Sequence, residues 1–186
     1  MCLTLLQDSR LYGFLFKIDQ GFADAAHAEG CRCGGRLHRA DYARKPRGGP
    51  PDLGPEYGKR LSWCCAREGC RSRRTPPSVR FLGRRVYLGA VVLLVSAMQG
   101  GITDNRAEQL RALLGVSRRT LWRWRSWWRR TFPTSAFWKR ERGRFMPPVV
   151  EGELPASLLE RFSGADERSR LIQALSFLAP LTTRSC

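Results

Sequence analysis

The first regular pattern along the chain is amphipathic. Leu11, Phe14, Leu15, Ile18, Phe22, Ala25 and Ala26 recur at the three- and four-residue spacing of a helix between residues 11 and 28. Gly13 and Gly21 interrupt it, leaving one helix or two short ones open. Residues 31–75 lose that period. Cysteine, glycine, proline and arginine dominate there, and residues 46–58 read as a long exposed loop. Lys59 to Cys65 alternates, with Leu61, Trp63 and Cys65 on one face, and predicts a strand. Arg71 to Pro77 reads as a basic connector. The next apolar run predicts a buried helix over Arg84–Met98, stopped by Gly100 and Gly101. A shorter helix over Arg106–Leu114 follows, with Asp104 or Asn105 as its cap. A third helix is predicted from Arg118 to about Arg130, ahead of Pro133. Beyond it the chain is expected to be extended, aromatic and basic. Two short amphipathic helices then follow, with apolar faces at Leu158, Leu159 and Phe162 and at Leu171, Ile172, Leu175 and Leu178.

The junction of the second and third of these central helices has a distinctive composition. Leu113 and Leu114 end a helix, Gly115 permits a positive φ, Val116 plugs the corner and Ser117 caps the next helix. That helix opens on Arg118 and Arg119, the residue type suited to guanine edges and phosphates. Leu110, Leu114, Val116, Leu121 and Trp124 fall at the buried positions that would join the two helices. Arg118, Arg119, Trp122 and Arg123 point away from them. The layout is that of a DNA-reading helix-turn-helix. The plainer alternative is an arginine-rich surface helix beside a hydrophobic one. Arg111 departs from the pattern, since a small residue often occupies that position for close helix packing. Trp124 and Trp128 share the face of Leu121 and are expected in the core, Trp122 on the basic face, and Trp127 against the tail.

Charge sharpens this picture. The chain of 186 residues carries 33 basic and 16 acidic side chains, a net +17, which points to a polyanionic partner, either nucleic acid or an anionic membrane surface. The excess is not spread evenly: residues 31–85 hold +11 and residues 117–144 hold +9, while the rest is near neutral or slightly acidic. A hydrophobic content of 42% is enough for a packed core. The longest apolar run, Val86 to Met98, has 13 residues, short of the roughly 20 a spanning helix needs, so no membrane association is expected. Met1–Leu6 lacks the basic start and length of a signal peptide. A reducing cytoplasm is the expected compartment, at the nucleoid if the partner is DNA.

In that compartment the seven cysteines read as metal ligands before disulfides. Cys31-Arg32-Cys33-Gly34-Gly35 forms one half-site, its glycines letting backbone N–H groups turn toward a thiolate. Trp63-Cys64-Cys65-Ala66-Arg67-Glu68-Gly69-Cys70 forms the other. Four thiolates from two separated turns suit a structural, tetrahedral Zn2+. The ligands expected are Cys31, Cys33, Cys65 and Cys70. Cys65 is preferred to Cys64 because alternation puts it on the face of Trp63. Buried free thiols are the alternative, and His38 is a further candidate ligand. Cys2 and Cys186 have no evident role.

These motifs in series carry a resemblance. An aromatic-x-Cys strand, Cys70-Arg-x-Arg-x-Thr75, Phe81-Leu82-Gly83, an apolar helix and Leu113-Leu-Gly-Val-Ser-Arg-Arg-Thr-Leu-x-Arg-Trp124 together resemble the N-terminal half of certain bacterial insertion-sequence transposases, over about residues 31–130. The Trp63-x-Cys65-x4-Cys70 half alone also resembles WRKY-type zinc modules. The resemblance implies binding to the terminal repeats of a mobile element through a zinc ribbon and a helix-turn-helix. The chain departs from that family after Arg130, where the family continues into a ribonuclease-H-like domain whose carboxylates hold two metal ions. Glu141, Glu151, Glu153, Glu160, Asp166 and Glu167 lack its alternating strands, so no catalysis is expected.

The expected fold is mainly α with a small β zinc ribbon. It comprises an N-terminal helical segment (1–30), the ribbon with its basic loops (31–80), a three-helix helix-turn-helix unit (81–131) and an extended basic stretch leading to a short helical tail (132–186). The expected function is non-catalytic binding of double-stranded DNA, as an accessory to or truncated relative of a transposase. Arg71, Arg73 and Arg74 would hold phosphates, while Ser117, Arg118, Arg119, Trp122 and Arg123 form the reading helix. A transcriptional regulator and an RNA-binding zinc-ribbon protein are the alternatives. A homodimer and a complex with a partner transposase both remain open.

Overall fold

Helix α1 spans Ser9–Ala28 without a break, its first turn capped by the Asp8 carboxylate. A Cβ at Gly13 or Gly21 would meet nothing within 4 Å, so both glycines simply face outward. The buried face is rotated from the predicted one: it is Leu11, Tyr12, Leu15, Asp19 and Ala23, while Phe14 is exposed. The reason is Asp19, a charged residue that the fold encloses. The computed structural model describes residues 3–82, 87–98 and 103–183, with all side chains there except those of Leu3 and Arg106. The predicted helix start at Arg84, the stop at Gly100-Gly101, Gly83, Cys2 and Cys186 lie outside the described residues.

Among those residues the protein is mainly helical, with two small antiparallel sheets. Strands β1 (Leu37–Arg39), β4 (Trp63–Cys65) and β5 (Arg73–Arg74) form one sheet in the order β1-β4-β5, with Leu37 opposite Cys65 and Trp63 opposite Arg74. Strands β2 (Tyr42–Ala43) and β3 (Lys59–Arg60) form the other. The single strand predicted over Lys59–Cys65 is therefore two strands in two sheets. It breaks at Ser62, whose N–H donates to the Asp41 carboxylate at 2.9 Å and whose carbonyl accepts from the Ala40 N–H at 2.8 Å. The predicted connector Arg71–Pro77 contributes a strand of its own, β5.

The helical body follows. Helix α2 (Gly89–Ser96) is shorter than the run Arg84–Met98 predicted, and every residue from Gly89 to Val95 is buried. Helix α3 (Asp104–Leu114) starts two residues before Arg106, so Asp104 is its first residue and not its cap. Helix α4 (Arg118–Ser126) ends short of Arg130 and passes into a single π-helical turn, Trp127–Thr131. The stretch after it is not extended. Ser135 caps helix α5 (Ala136–Glu141), accepting from the Trp138 N–H at 3.2 Å, because Phe137 and Trp138 are drawn into an aromatic cluster. Trp128, Phe132 and Trp138 lie with ring centroids 4.9 and 5.0 Å apart along that cluster. Helices α6 (Ala156–Leu159) and α7 (Glu167–Leu178) close the tail, burying Leu158, Leu159, Leu171, Leu175 and Leu178, whereas Ile172 and Phe162 are half-buried.

One hydrophobic cluster joins these parts. It takes Leu11 and Leu15 from α1, nearly all of α2, Leu110 and Leu121 from α3 and α4, and Leu171 and Leu175 from α7. Burial of so much apolar surface, at about 25 cal/mol per Å2, is the main force holding the helices together. Helix α2 sits at its centre, packed against α4, α7 and the 3-10 turn Leu3–Gln7.

Candidate metal centre and basic surface

The chain leaves α1 at Gly30, which adopts φ +67°, and turns at once into the first cysteine pair. Gly34 closes that turn by donating to the Cys31 carbonyl at 2.8 Å, with φ +72°. The next N–H, of Gly35, points at the Cys33 Sγ at 3.4 Å. The second turn repeats the device. The Arg67 N–H points at the Cys65 Sγ at 3.4 Å, and Gly69, at φ +82°, lets Cys70 swing back. The Arg67 guanidinium then ties the two turns together, donating to the Cys33 carbonyl at 2.9 Å.

The four sulfur atoms of Cys31, Cys33, Cys65 and Cys70 all lie within 4.8 Å of one another. Measured separations are 3.4 Å for Cys31–Cys33, 3.5 Å for Cys33–Cys65 and 3.8 Å for Cys31–Cys70. A Zn–S bond of about 2.3 Å puts the edge of an S4 tetrahedron at about 3.8 Å, so the donor set and its spacing fit zinc. Gly35 is forced by this packing. A Cβ there would lie 2.6 Å from the Cys65 Sγ and 3.2 Å from the Cys33 Sγ. Cys64 takes no part: on the opposite face of β4, its thiol donates to the Arg71 carbonyl at 3.5 Å. His38 pairs with Cys64 across the sheet, is exposed, and lies outside the group.

The protonation chemistry is consistent with a cation's place. The Gly35 N–H, then the neighbouring thiols, pull the Cys33 thiol down to about 6. The Arg67 N–H pulls Cys65 down too, but burial and the neighbouring thiols outweigh it and push the thiol up to about 12. Cys70 is raised as well, against the pull of the Ser72 N–H, by Cys33 and by burial. One thiolate forms readily, and further ones are opposed until a divalent cation balances them.

The metal block is docked on α1. The Trp63 indole donates to the Ala23 carbonyl at 2.8 Å, and its ring lies 4.3 Å from that of His27. Arg74 donates to the Gly30 carbonyl and pairs with Glu29. Deeper, the Asp19 carboxylate accepts from Arg80 Nε at 2.7 Å, the Ser78 hydroxyl at 2.5 Å and the Val79 N–H at 2.8 Å. Arg80 also donates to the Tyr57 and Lys59 carbonyls and lies over the rings of Phe16, Tyr57 and Phe81. Sequence reasoning missed this pair. The available signal was an aspartate at the i+4 position between Leu15 and Ala23, on the face that ought to be apolar.

The basic candidates fall into two groups. Arg71 is exposed. Arg73 donates to the Ala40 carbonyl at 3.2 Å and lies over the Tyr42 ring, while Arg74 is engaged as above. An open cleft of about 680 Å3 is lined by Arg73 and Arg74 together with Arg32, Cys31, Cys33 and Cys70 of the cysteine turns. The second group is on α4. Gly115 adopts φ +62°, Val116 is fully buried, and the Ser117 hydroxyl accepts from the Thr120 N–H at 3.3 Å. Thr120, Leu121 and Trp124 face inward. Arg118, Arg119, Trp122 and Arg123 face outward, with Trp122 63% exposed. Arg118 pairs with Asp104, and Arg123 donates to the Thr120 hydroxyl at 3.5 Å. Tyr87, which the sequence did not single out, donates from its hydroxyl to the Gly115 carbonyl at 3.0 Å and meets the Trp124 ring edge-on at 5.0 Å.

No protein-family model, curated protein or solved structure matches this chain. No helix among the described residues is long and apolar enough to cross a membrane.

Proposed function

We propose that this chain is a non-catalytic, zinc-stabilised protein that binds double-stranded DNA by laying α4 in the major groove. The observation that carries the reading is the division of α4. One face is buried against the core. The other presents Arg119, Trp122 and Arg123 to solvent just beyond a capped N-terminus. Arginines so placed reach base edges, where a bidentate contact to guanine is the commonest specific one. The Gly115 turn, the buried Val116 and the packing of α2 beneath α4 support a helix-turn-helix organisation. The two cysteine turns support a structural zinc that holds the basic block in shape. In this reading the role is the one the resemblance suggests, as an accessory to or relative of a mobile-element transposase.

The test is a pair of duplexes, one selected from a random pool by the zinc-loaded protein and one scrambled. Arg119→Ala and Arg123→Ala are each expected to cost about 1–3 kcal/mol on the selected duplex and to relax preference at one or two base pairs. Single-stranded RNA of matched length should compete poorly. Equal or better competition by RNA, or α4 variants that bind the selected duplex like wild type, would overturn the reading.

A further inference from the structure

The loop joining β2 to β3 carries Lys45 and Arg47, both exposed and without a side-chain partner among the described residues. Its backbone is clamped. At one end the Arg44 N–H donates to the Gly58 carbonyl at 2.6 Å. At the other, Arg47 forms a parallel bridge with Tyr87, and its carbonyl accepts from the Leu88 N–H at 3.2 Å. Gly48, at φ +87°, then presses onto α2 so closely that a Cβ would lie 3.1 Å from Val91. The residue bridged to Arg47 is the one whose hydroxyl holds the Gly115 carbonyl. Arg47 and the turn that launches α4 are therefore fastened to opposite ends of Tyr87.

We propose that Lys45 and Arg47 form a phosphate clamp that grips the backbone of the duplex beside the groove occupied by α4. The proposal rests on the reading of α4 as a groove-binding helix. Its geometry follows from the Tyr87 link. One strand spacing of about 5 Å, a tyrosine side chain of about 6.5 Å and the 3.0 Å hydrogen bond put the loop within about 15 Å of the Gly115 turn that launches α4. The major groove is about 12 Å wide, so a helix seated along its middle has a phosphate backbone about 6 Å or more to either side, and lysine and arginine side chains about 6–7 Å long span the remaining distance from the loop. The electrostatics agree. Arg73 and Arg74, expected from sequence to hold phosphates, already have internal partners, whereas Lys45 and Arg47 have none among the described residues. Because the clamped backbone fixes the loop before binding, little ordering cost opposes the contact.

The test compares Lys45→Gln/Arg47→Gln, Arg119→Ala and a control, Lys17→Gln on the exposed face of α1, as zinc-loaded proteins. Each is titrated with the selected and the scrambled duplex from 50 to 200 mM salt. Since Arg47 makes its bridge through the backbone, the loop variant should retain its circular dichroism and zinc content. Loss of two phosphate contacts should flatten the log–log salt slope by about 1.8, so the gap to wild type narrows about 12-fold across that range. The loss should be alike on both duplexes, with sequence preference unchanged. A slope unchanged in the loop variant, or lowered as much per charge by Lys17→Gln, overturns the clamp. The α4 reading then still stands if Arg119→Ala weakens the selected duplex. If Arg119→Ala is silent, or wild type binds no duplex, both readings fall.

Discussion

Replacing Arg80 by Met should be among the most damaging single changes in this protein. The side chain is fully buried, and so is its partner Asp19. The substitution removes a charged hydrogen bond of 2.7 Å to Asp19 and two to backbone carbonyls, at 2.7 Å to Tyr57 and 2.9 Å to Lys59. Asp19 retains the Ser78 hydroxyl and the Val79 N–H but no cation, and the Tyr57 and Lys59 carbonyls lose these donors. Breaking one side of such a pair costs about 3–5 kcal/mol, a large share of a total stability of about 5–15 kcal/mol. For a chain of this size each kcal/mol lowers Tm by about 2–4 °C, so a fall of roughly 6–20 °C is expected. Asp19→Leu should cost a similar amount, leaving the guanidinium unpaired. The double variant Asp19→Leu/Arg80→Met buries no charge and should be at least as stable as either single, which gives a coupling of at least about 3 kcal/mol. Urea unfolding followed by far-ultraviolet circular dichroism, at one fixed free zinc concentration, measures all four corners of the cycle. Additive losses, or a loss below about 1 kcal/mol for Arg80→Met, would refute the claim that this pair fastens α1 to the loop from Ser78 to Phe81.

The metal centre yields three further expectations. Gly35→Ala drives a methyl group into the Cys65 sulfur and should abolish zinc retention on elemental analysis; Gly34→Ala, with open space but φ +72°, should retain zinc at a cost of about 1 kcal/mol in stability. Cys65→Ser should lose the metal and Cys64→Ser should keep it; release from the Cys64 variant would place the ligand one residue earlier. Zinc affinity should fall as the solution is acidified, since Cys65 and Cys70, held protonated by their surroundings, must each give up a proton to bind. Competition against a chelator at stepped pH should show it, and a flat profile between pH 8 and 6 would count against thiolate ligation.

Legibility in the sequence followed the distance over which each determinant acts. The cysteine turns and the Gly115–Ser117 corner are written in a few adjacent residues, so the groups that define them could be named from spacing alone. The choice of Cys65 over Cys64 needed only the two-residue alternation of a strand. Asp19 was invisible because its partner is 61 residues away, and an isolated aspartate on a helix reads as a solvated one. The break at Ser62 depends on Asp41, from another loop. The residues after Arg130 give no helical signal in the sequence because Pro133 interrupts them and the helix that follows, Ala136–Glu141, is six residues long and buries only the adjacent Phe137 and Trp138. A stretch that short cannot display an apolar stripe of helical period. Arg73 and Arg74 looked free for phosphates because the sequence gives no sign that Glu29, Gly30 and Ala40 return to meet them.

The enclosure of α2 has a bearing on how the chain is made. Gly89–Ser96 is so apolar that it has no outward face, and its cover comes from both directions along the chain: the turn Leu3–Gln7 before it, and α4 and α7 after it. A side chain of α7, Leu175, reaches the first residue of α2, its methyl carbon 3.3 Å from where a Cβ on Gly89 would stand. During synthesis the segment from Val91 to Val95 leaves the ribosome some eighty residues ahead of that partner, which at roughly 5–20 residues per second is a delay of about 4–16 s. For that interval a β-branched, uncharged run is without its lid, a sequence type prone to pairing with its own kind. The cysteine turns, complete once Cys70 has emerged, are upstream and can take up metal in the meantime. Released chains truncated before residue 167 should therefore be the ones that demand a chaperone, and released chains that extend past residue 178 should not.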